Sequence, residues 1–255
     1  MALILTPLRG MPLVGEGDDV ARLIESALRE NSIDLADGDI VVIGQKIVSK
    51  AEGRLVDLAD IEPRPEAVAL QVETGKDPRL LELILRESKR VLRARPGTII
   101  VEHRLGFVCA NAGVDHSNVA GPATSAHEYV LLLPLDPDGS AASIREHLES
   151  RSGKRLGVVI NDSHGRAWRL GTVGTCIGLS NVPGLVDQRG WTDLFGYRLQ
   201  ATIIGAVDEL AAAASLVMGQ AAEGTPVVHV RGFPYELREG SLRELLRPQD
   251  QDLFR

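Results

Sequence analysis

Aromatic side chains are scarce in this chain: four Phe, three Tyr and two Trp make up 4% of its 255 residues. A core must then be filled mostly by aliphatic groups. Cysteine is scarcer still. Cys109 and Cys176 are far apart and no CxxC pair occurs, which argues against a zinc knuckle or a dithiol redox centre. Two reduced core thiols in a cytoplasmic protein are the plainer reading. Basic excess is missing as well. Lys and Arg number 28 against 35 Asp and Glu, a net charge of −7, the wrong balance for a nucleic-acid binder. An acidic chain still takes a nucleotide when cations bridge the two. No apolar run has the length of a membrane span, and Met1 to Thr6 is too short for a signal peptide. The expectation is a soluble, cytoplasmic protein with no nucleic-acid and no membrane partner.

The common nucleotide signatures are absent too. A phosphate loop of the GxxxxGK[ST] type is missing, since Ser152-Gly153-Lys154 has neither the upstream Gly nor the trailing hydroxyl. GxGxxG does not occur, and Gly15-Glu16-Gly17 is a lone GxG. GxSxG is missing, so a hydrolase nucleophile elbow is unsupported. Six histidines show no HxxxH or HExxH spacing. Any nucleotide handled by this chain is handled outside those schemes.

What is present reads as a mixture of strands and helices. The length suits one large domain or two small ones. Ala2 to Thr6, Ile40 to Ile43, Thr98 to Val101, Leu105 to Val108, Tyr129 to Leu133, Leu156 to Ile160, Ala201 to Val207 and Val227 to Val230 read as strands. Asp18-Asp19 sits where an N-cap is expected, before Val20, Leu23, Ile24 and Leu28 at helical spacing. Residues 63 to 90 read as helix broken by Gly75 and Asp77-Pro78, with Arg79, Glu82, Arg86 and Glu87 on a solvated face. Further helices are expected at about residues 141 to 151 and from Asp208 to Met218. The tail beyond Phe233 reads as peripheral. Without regular βαβ alternation the fold class is α+β. No composition break divides the chain, so any two-lobed arrangement must have segments crossing between lobes.

Two apolar runs end abruptly in oxygen-bearing groups. One leads to Asp115 and Asn118, the other to Asp162 and Ser163. Carboxylate, amide and hydroxyl oxygens suit Mg²⁺ or Mn²⁺, and the plain alternative is that both aspartates cap turns or helices. Lys46 and Lys50 leave a strand end with Ser49 between them, as point charges for phosphate or as a solvated pair. Arg166 and Arg169 bracket Trp168, either as an anion clamp or as a surface cation–aromatic cluster. The small-residue loop from Met218 to Thr225 lets a ligand approach backbone closely, or merely caps a helix with glycine. His116 and His164 flank the acidic segments and read as loop histidines. These residues leave open a metal-dependent nucleotide phosphohydrolase or a non-catalytic nucleotide-binding module.

Taken in order, the segments resemble one family. They are Gly10-Met-Pro-Leu-Val14 with Glu16-Gly-Asp-Asp19, Asp37-Gly-Asp39, Val48-Ser-Lys-Ala-Glu-Gly-Arg54 and Asn111-Ala-Gly-Val-Asp115. Ser117-Asn-Val119, Leu133-Pro-Leu-Asp-Pro-Asp-Gly-Ser140, Asp162-Ser-His-Gly-Arg166, Ala206-Val-Asp-Glu-Leu-Ala211 and Met218-Gly-Gln220 continue the series. The chain resembles the GTP-dependent coenzyme F-420:L-glutamate ligases, gamma-glutamyl ligases of deazaflavin cofactor maturation.

That resemblance implies ligation of L-glutamate to a deazaflavin coenzyme precursor through an acyl phosphate made from GTP, with further gamma-linked additions. It implies contacts to the nucleotide from Met11, Pro12, Leu13, Val14, Gln45, Lys46, Lys50, Asn118, Met218, Gly219, Gln220, Ala221, Ala222, Glu223, Gly224 and Thr225. Asp115 and Asp162 would hold one divalent ion, and Ser163 with Gln220 a second. Asp115, Asp162 and Lys50 would carry the chemistry. The cations would be Mg²⁺ or Mn²⁺, with K⁺ whose ligands the resemblance leaves unassigned. The family has Glu where this chain has Gln220, a weaker ligand, and Ser-Thr is common where it has Gln45-Lys46. The implied architecture is two-lobed and α+β, an intertwined homodimer. A single ligase module over residues 1–255, without a C-terminal flavin-reductase-like domain, is expected.

Overall fold

Asp19 begins the first helix as expected: its carboxylate accepts from the Arg22 amide at 3.1 Å, which satisfies one of the donors a helix start leaves open. The computed structural model describes residues 2–119 and 127–252. In chain order the elements are β1 (Ile4–Pro7), α1 (Val20–Glu30), β2 (Ile40–Gly44), α2 (Gln45–Ala51), β3 (Leu55–Asp57), α3 (Pro65–Thr74) and α4 (Pro78–Arg86). Then come β4 (Ser88–Arg95), β5 (Thr98–His103), β6 (Val108–Ala110), β7 (Tyr129–Leu131) and α5 (Pro137–Ser152). The series closes with β8 (Gly157–Arg166), β9 (Arg169–Ser180), β10 (Val186–Asp187), β11 (Ile203–Ile204), α6 (Ala206–Met218) and β12 (Val227–Arg231). The class is mixed α+β. Among the described residues no helix is long and apolar enough to cross a membrane.

The chain divides into two compact units, each assembled from separate segments. Unit 1 comprises Met1–Val48, Leu135–Ser163 and Val173–Leu245. Unit 2 comprises Ser49–Pro134, His164–Thr172 and Leu246–Arg255.

Unit 1 is organised by a sheet of order β1-β12-β2-β8-β9. β12 runs antiparallel to β1 and β2, whereas β2 and β8 are parallel, with Ile40 opposite Gly157 and Gly44 opposite Asn161. Ile40 to Ile43, Val158 to Ile160, and Val227 and Val228 are fully buried. These continuous apolar runs are what a central strand covered on both faces requires. One polar cluster interrupts them. Asp39, just ahead of β2, takes a 2.8 Å contact from His229 Nε2 and a two-pronged approach from Arg231 at 2.8 and 2.6 Å.

The segment after Phe233 is not peripheral. Arg155 donates to the Leu237 carbonyl at 2.6 Å, and the Leu242 amide donates to the half-buried Asp138 carboxylate at 3.0 Å. Leu237 and Leu242 are buried. The strand expected from Ala201 to Val207 shortens to β11, because α6 already starts at Ala206, with Asp208 and Glu209 in its first turn where acidic groups favour the helix.

Unit 2 packs α3 and α4 with a sheet of order β4-β5-β6 and with the β3-β7 pair. Its core is aliphatic: Leu58, Leu81, Ile84, Ile99, Val101 and Val130 lie at its centre. Three expectations fail here; the strand read at Leu105 to Val108 is a turn closed on His103, and β6 starts only at Val108. The chain leaves helix at Glu87 and enters β4, so residues 88–95 are strand. Glu82 and Glu87 are buried, not part of a solvated face. Glu82 stays charged because Arg64 and Arg86 cover it at 2.9 and 2.8 Å. Both cysteines are buried and outside any disulfide, as expected.

Candidate functional site

Asp162 and Ser163 lie inside β8, not at its end. The parallel register sets Asn161 opposite Gly44, where β2 gives way to α2. Ser163 Oγ donates to Gln220 Oε1 at 2.8 Å, and Gln220 Nε2 donates to Ser215 Oγ at 2.9 Å. The amide is thereby oriented with its oxygen toward Ser163. Ser215 is placed by the packing of α6 on β9 at Gly174. A Cβ there would lie 2.4 Å from the Ala211 carbonyl and 2.6 Å from Ser215 Cβ, so only glycine admits this approach.

The loop after α6 is a self-closed turn with exposed faces. Thr225 Oγ1 donates to the Met218 carbonyl at 3.1 Å, and the Ala221 amide donates to the Glu223 carboxylate at 2.8 Å. Backbone amides of Glu223 and Ala221 hold the Glu223 carboxyl below its usual range. Met218 is buried, Gly219 and Thr225 are half-buried, and Gln220, Ala221, Ala222, Glu223 and Gly224 are exposed. Neighbouring Met218 Sδ lies 3.8 Å from Asn161 Nδ2, and the Gly44 amide donates to the Pro226 carbonyl at 2.8 Å.

The loop Met11 to Val14, also in unit 1, is pinned at both ends. Asn31 brackets Arg9, accepting from its amide at 3.2 Å and donating to its carbonyl at 2.9 Å, and the Gly15 amide donates to Asp18 at 2.8 Å. Val14 anchors the loop in the core, Met11 is half-buried, and Pro12 and Leu13 project, with Leu13 98% exposed. Gln45 is buried at the start of α2 and Lys46 half-buried beside it.

In unit 2, Lys50 lies near the C-terminus of α2 and donates from Nζ to the Asn118 carbonyl at 2.8 Å. Lys46 and Lys50 are thus on a helix, not leaving a strand. Asp115 is delivered by a tight turn. Asn111, Ala112 and Gly113 all have positive φ. Gly113 has the left-handed φ that favours glycine, and a Cβ there would press on Leu133 Cδ1 at 2.6 Å. The Asp115 amide and carbonyl then exchange hydrogen bonds with Leu131 at 3.0 and 2.9 Å.

His116 approaches Glu128 at 3.3 Å, and His127 approaches Asp57 at 2.7 Å. His164 makes a tilted ring contact with Phe107, which stacks on His103. Arg166 and Arg169 belong to the β8–β9 hairpin. Arg166 donates to the Leu170 carbonyl at 3.0 Å, and Trp168 is exposed at positive φ.

Sequence reasoning missed one cluster in this unit: Glu87 with Arg54, His103 and Arg104. Arg54 closes one of the motifs quoted above, but nothing in the pattern around Glu87 distinguishes it from an exposed helix-end acid.

Ser163 and Gln220 meet, whereas Asp162, its neighbour along β8, presents its side chain to the opposite face of the strand; each carries the kind of oxygen a hard divalent cation takes. Asp162 offers a carboxylate, Ser163 a hydroxyl and Gln220 an amide oxygen, all half-buried or exposed. Among the described residues no three His, Cys, Asp or Glu side chains converge.

The model of the family described as F420-0:Gamma-glutamyl ligase matches residues 10–232. A protein of Methanothermobacter thermautotrophicus named "Coenzyme F420:L-glutamate ligase" is 50% identical over 258 residues, covering 100% of both chains. A Methanopyrus kandleri protein of the same name is 49% identical, over 95% of this chain and 93% of its own length. One from Archaeoglobus fulgidus is 40% identical over 100% of this chain and 97% of its own. With its motifs in place from the Met11 loop to the turn after α6, the chain belongs to the F420-0:gamma-glutamyl ligase family.

Proposed function

We propose that this chain ligates L-glutamate to a deazaflavin coenzyme F-420 precursor, using GTP, and that it extends the product through further gamma linkages. The end-to-end likeness to relatives named for that reaction carries the reading. A carboxylate does not acylate an amine at neutral pH, because its leaving group would be oxide. The terminal carboxylate oxygen of the acceptor attacks the γ-phosphorus of GTP and GDP leaves, forming an acyl phosphate. The amine of glutamate attacks the acyl carbon, inorganic phosphate leaves, and the nitrogen loses its proton. Bound divalent cations, Mg²⁺ or Mn²⁺, supply charge stabilisation for the phosphoryl oxygens.

The protein's own groups bind and orient. Asp162, Ser163 and Gln220 are assigned as oxygen ligands of divalent ions, and Asp115 as a further one. Lys50 brings a positive charge whose ammonium is steered by the Asn118 carbonyl. Met11 to Val14, Gln45, Lys46, Asn118 and the turn Met218 to Thr225 are assigned to the nucleotide. The charge balance favours a cation-bridged triphosphate: unit 1 carries thirteen Lys and Arg against twenty-one Asp and Glu, which repels a bare polyanion. Potassium is part of the reading without assigned ligands.

A homodimer is likewise proposed. The segment after β10 exposes Trp191, Leu194, Phe195 and Tyr197, with Leu194 and Phe195 above 90%, a density of apolar surface that a partner copy would cover. Sedimentation at micromolar concentration should give twice the chain mass. Buried thiols outside any disulfide suit a reducing cytoplasm.

The test is incubation with unglutamylated coenzyme, glutamate, GTP and Mn²⁺, followed by product mass. A gain of one glutamyl residue coupled to GDP formation is expected. GTP hydrolysis indifferent to the acceptor would make the chain a phosphohydrolase instead. Tight GTP binding without turnover would leave only a binding module.

A further inference from the structure

We infer that Glu87, acting through Arg54, is a positioning residue for Lys50 and Asp115. The inference rests on the ligase reading, which gives those two residues their work. Every contact in the argument lies within unit 2.

Glu87 follows α4 and is 8% exposed. Its carboxylate meets Arg54 Nη2 at 2.9 Å, Arg104 Nε at 2.8 Å and His103 Nε2 at 3.7 Å. Burial alone would raise its pKa. The approach of His103, Arg104 and Arg54 outweighs burial and holds it at about 2. Glu87 is a fixed anion, not a titrating group, at any pH near neutrality.

The two guanidinium groups pass this anchoring onward. Arg54 Nε donates to the Leu133 carbonyl at 2.9 Å and Arg104 Nη2 to the Pro134 carbonyl at 3.2 Å. Arg54 also holds chain on both sides with its backbone. Its amide donates to the Ser49 carbonyl at 2.9 Å, which closes the turn after α2, and its carbonyl accepts from the Leu132 amide at 3.1 Å. The neighbouring Gly53 amide donates to the Lys50 carbonyl at 3.1 Å. Leu131, next in line, is the residue that exchanges both hydrogen bonds with Asp115. Leu133, whose carbonyl Arg54 grips, packs its side chain against Gly113 in the turn that delivers Asp115. Arg54 is therefore bonded both to the helix end that carries Lys50 and to the strand that seats Asp115.

Stability alone is a poor reason for such a cluster. Buried ion pairs recover little more than their desolvation cost, and apolar replacements are often as stable. Geometry is the better reason, because displacing catalytic groups by about 1 Å costs on the order of a hundredfold in rate.

The test compares Glu87→Gln with Glu82→Gln. Glu82 is buried in the same unit and also paired to two arginines, but its partners are Arg64 and Arg86, outside the Lys50–Asp115 connection. For Glu87→Gln we expect kcat to fall about tenfold or more and half-saturation by Mn²⁺ to rise about tenfold. The KM for L-glutamate should stay within about twofold. For Glu82→Gln we expect a comparable loss of unfolding midpoint with kcat and Mn²⁺ affinity within about twofold. Mn²⁺ affinity is read by electron paramagnetic resonance of the free ion, without turnover.

Should Glu87→Gln fail to fold, Arg54→Lys takes its place. It keeps the charge but loses the fork, and the same losses are expected. Unchanged kcat and Mn²⁺ affinity in the folded variant would overturn the inference, as would equal losses in Glu82→Gln. Wild-type protein that transfers no glutamate would overturn the ligase reading instead, while the Mn²⁺ comparison would still decide the positioning role.

Discussion

Each unit buries one carboxylate against a histidine and arginine, and the two clusters do different things. In unit 1, Asp39 is held by His229 and Arg231. In unit 2, Glu87 is held by His103, Arg54 and Arg104. Asp39 precedes β2, whereas Gly44 at the other end of that strand opens into Gln45 and Lys46. Its partners return to β12 and to the Asp34 carbonyl, closing on the sheet that made them. Glu87 instead reaches, through Arg54, the segments that carry Lys50 and Asp115. A buried charge cluster is thus not informative by composition. What its arginines bond to next decides whether it supports only a sheet or also a site.

Replacing the candidate ligands should give the largest effects. Asp162→Ala should lower turnover by about a thousandfold or more while circular dichroism stays that of the parent, because a charge-stabilising ligand is removed from a half-exposed position. Retained product formation in the mass assay would remove Asp162 from the site. The Asp39 cluster should respond in the opposite sense. Asp39→Asn leaves Arg231 and His229 without their anion and should cost about 3–5 kcal/mol in urea unfolding. Specific activity of the folded fraction should be unchanged, and a parallel loss of kcat would erase the contrast drawn between the clusters.

Acid should separate the clusters more finely. Glu87 is lowered from 4.5 to about 2 in the fold. Its contribution is therefore complete above 4.5 and is lost as pH falls toward 2. Burial pushes His103 below its ordinary 6.5, so the unfolded chain takes up that proton first and stability again declines as pH drops below 6.5. Thermal midpoints measured from pH 7 downward should fall, and Glu87→Gln should flatten the part of the decline below 4.5. An unaltered slope would show that other carboxylates dominate.

Smallest is the expected response at Gln220. Gln220→Glu keeps an acceptor for Ser163 but loses the bond to Ser215, and should tighten Mn²⁺ binding by a factor of about three to ten. Titration calorimetry showing no change would exclude the residue as a ligand.

Much of unit 1 was readable in advance. Ile40 to Ile43, Val158 to Ile160 and Val227 to Val230 are apolar without interruption except at His229, and each became a strand. Unit 2 was harder. Lys89 and Arg90 close the span that reads as helix, yet with Arg93 and Arg95 they are charges of β4 at the margin of its sheet, where charge discourages further pairing. The burial of Glu82 and Glu87 was illegible because their partners come from distant segments. The candidate site followed a similar division. Residue types and order pointed to Asp115, Asp162 and Ser163, but the placement of Lys50 on a helix and of Asp162 within a strand required the tertiary register. The role of Arg54 depends on hydrogen bonds to Leu132 and Leu133, which no local pattern announces.

The parallel pairing of β2 with β8 has a consequence for how the chain is born. All of Ser49–Pro134 is synthesised between the two strands. The central sheet of unit 1 must wait for a long loop to close, and such closures are slow. The inserted segment leaves the ribosome before β8 does and meets most of its own partners early. During refolding, amide protection should therefore come sooner at Ile99 and Val101 than at Val41 and Val159, and pulse-labelling that found the reverse order would show the sheet nucleating across the gap.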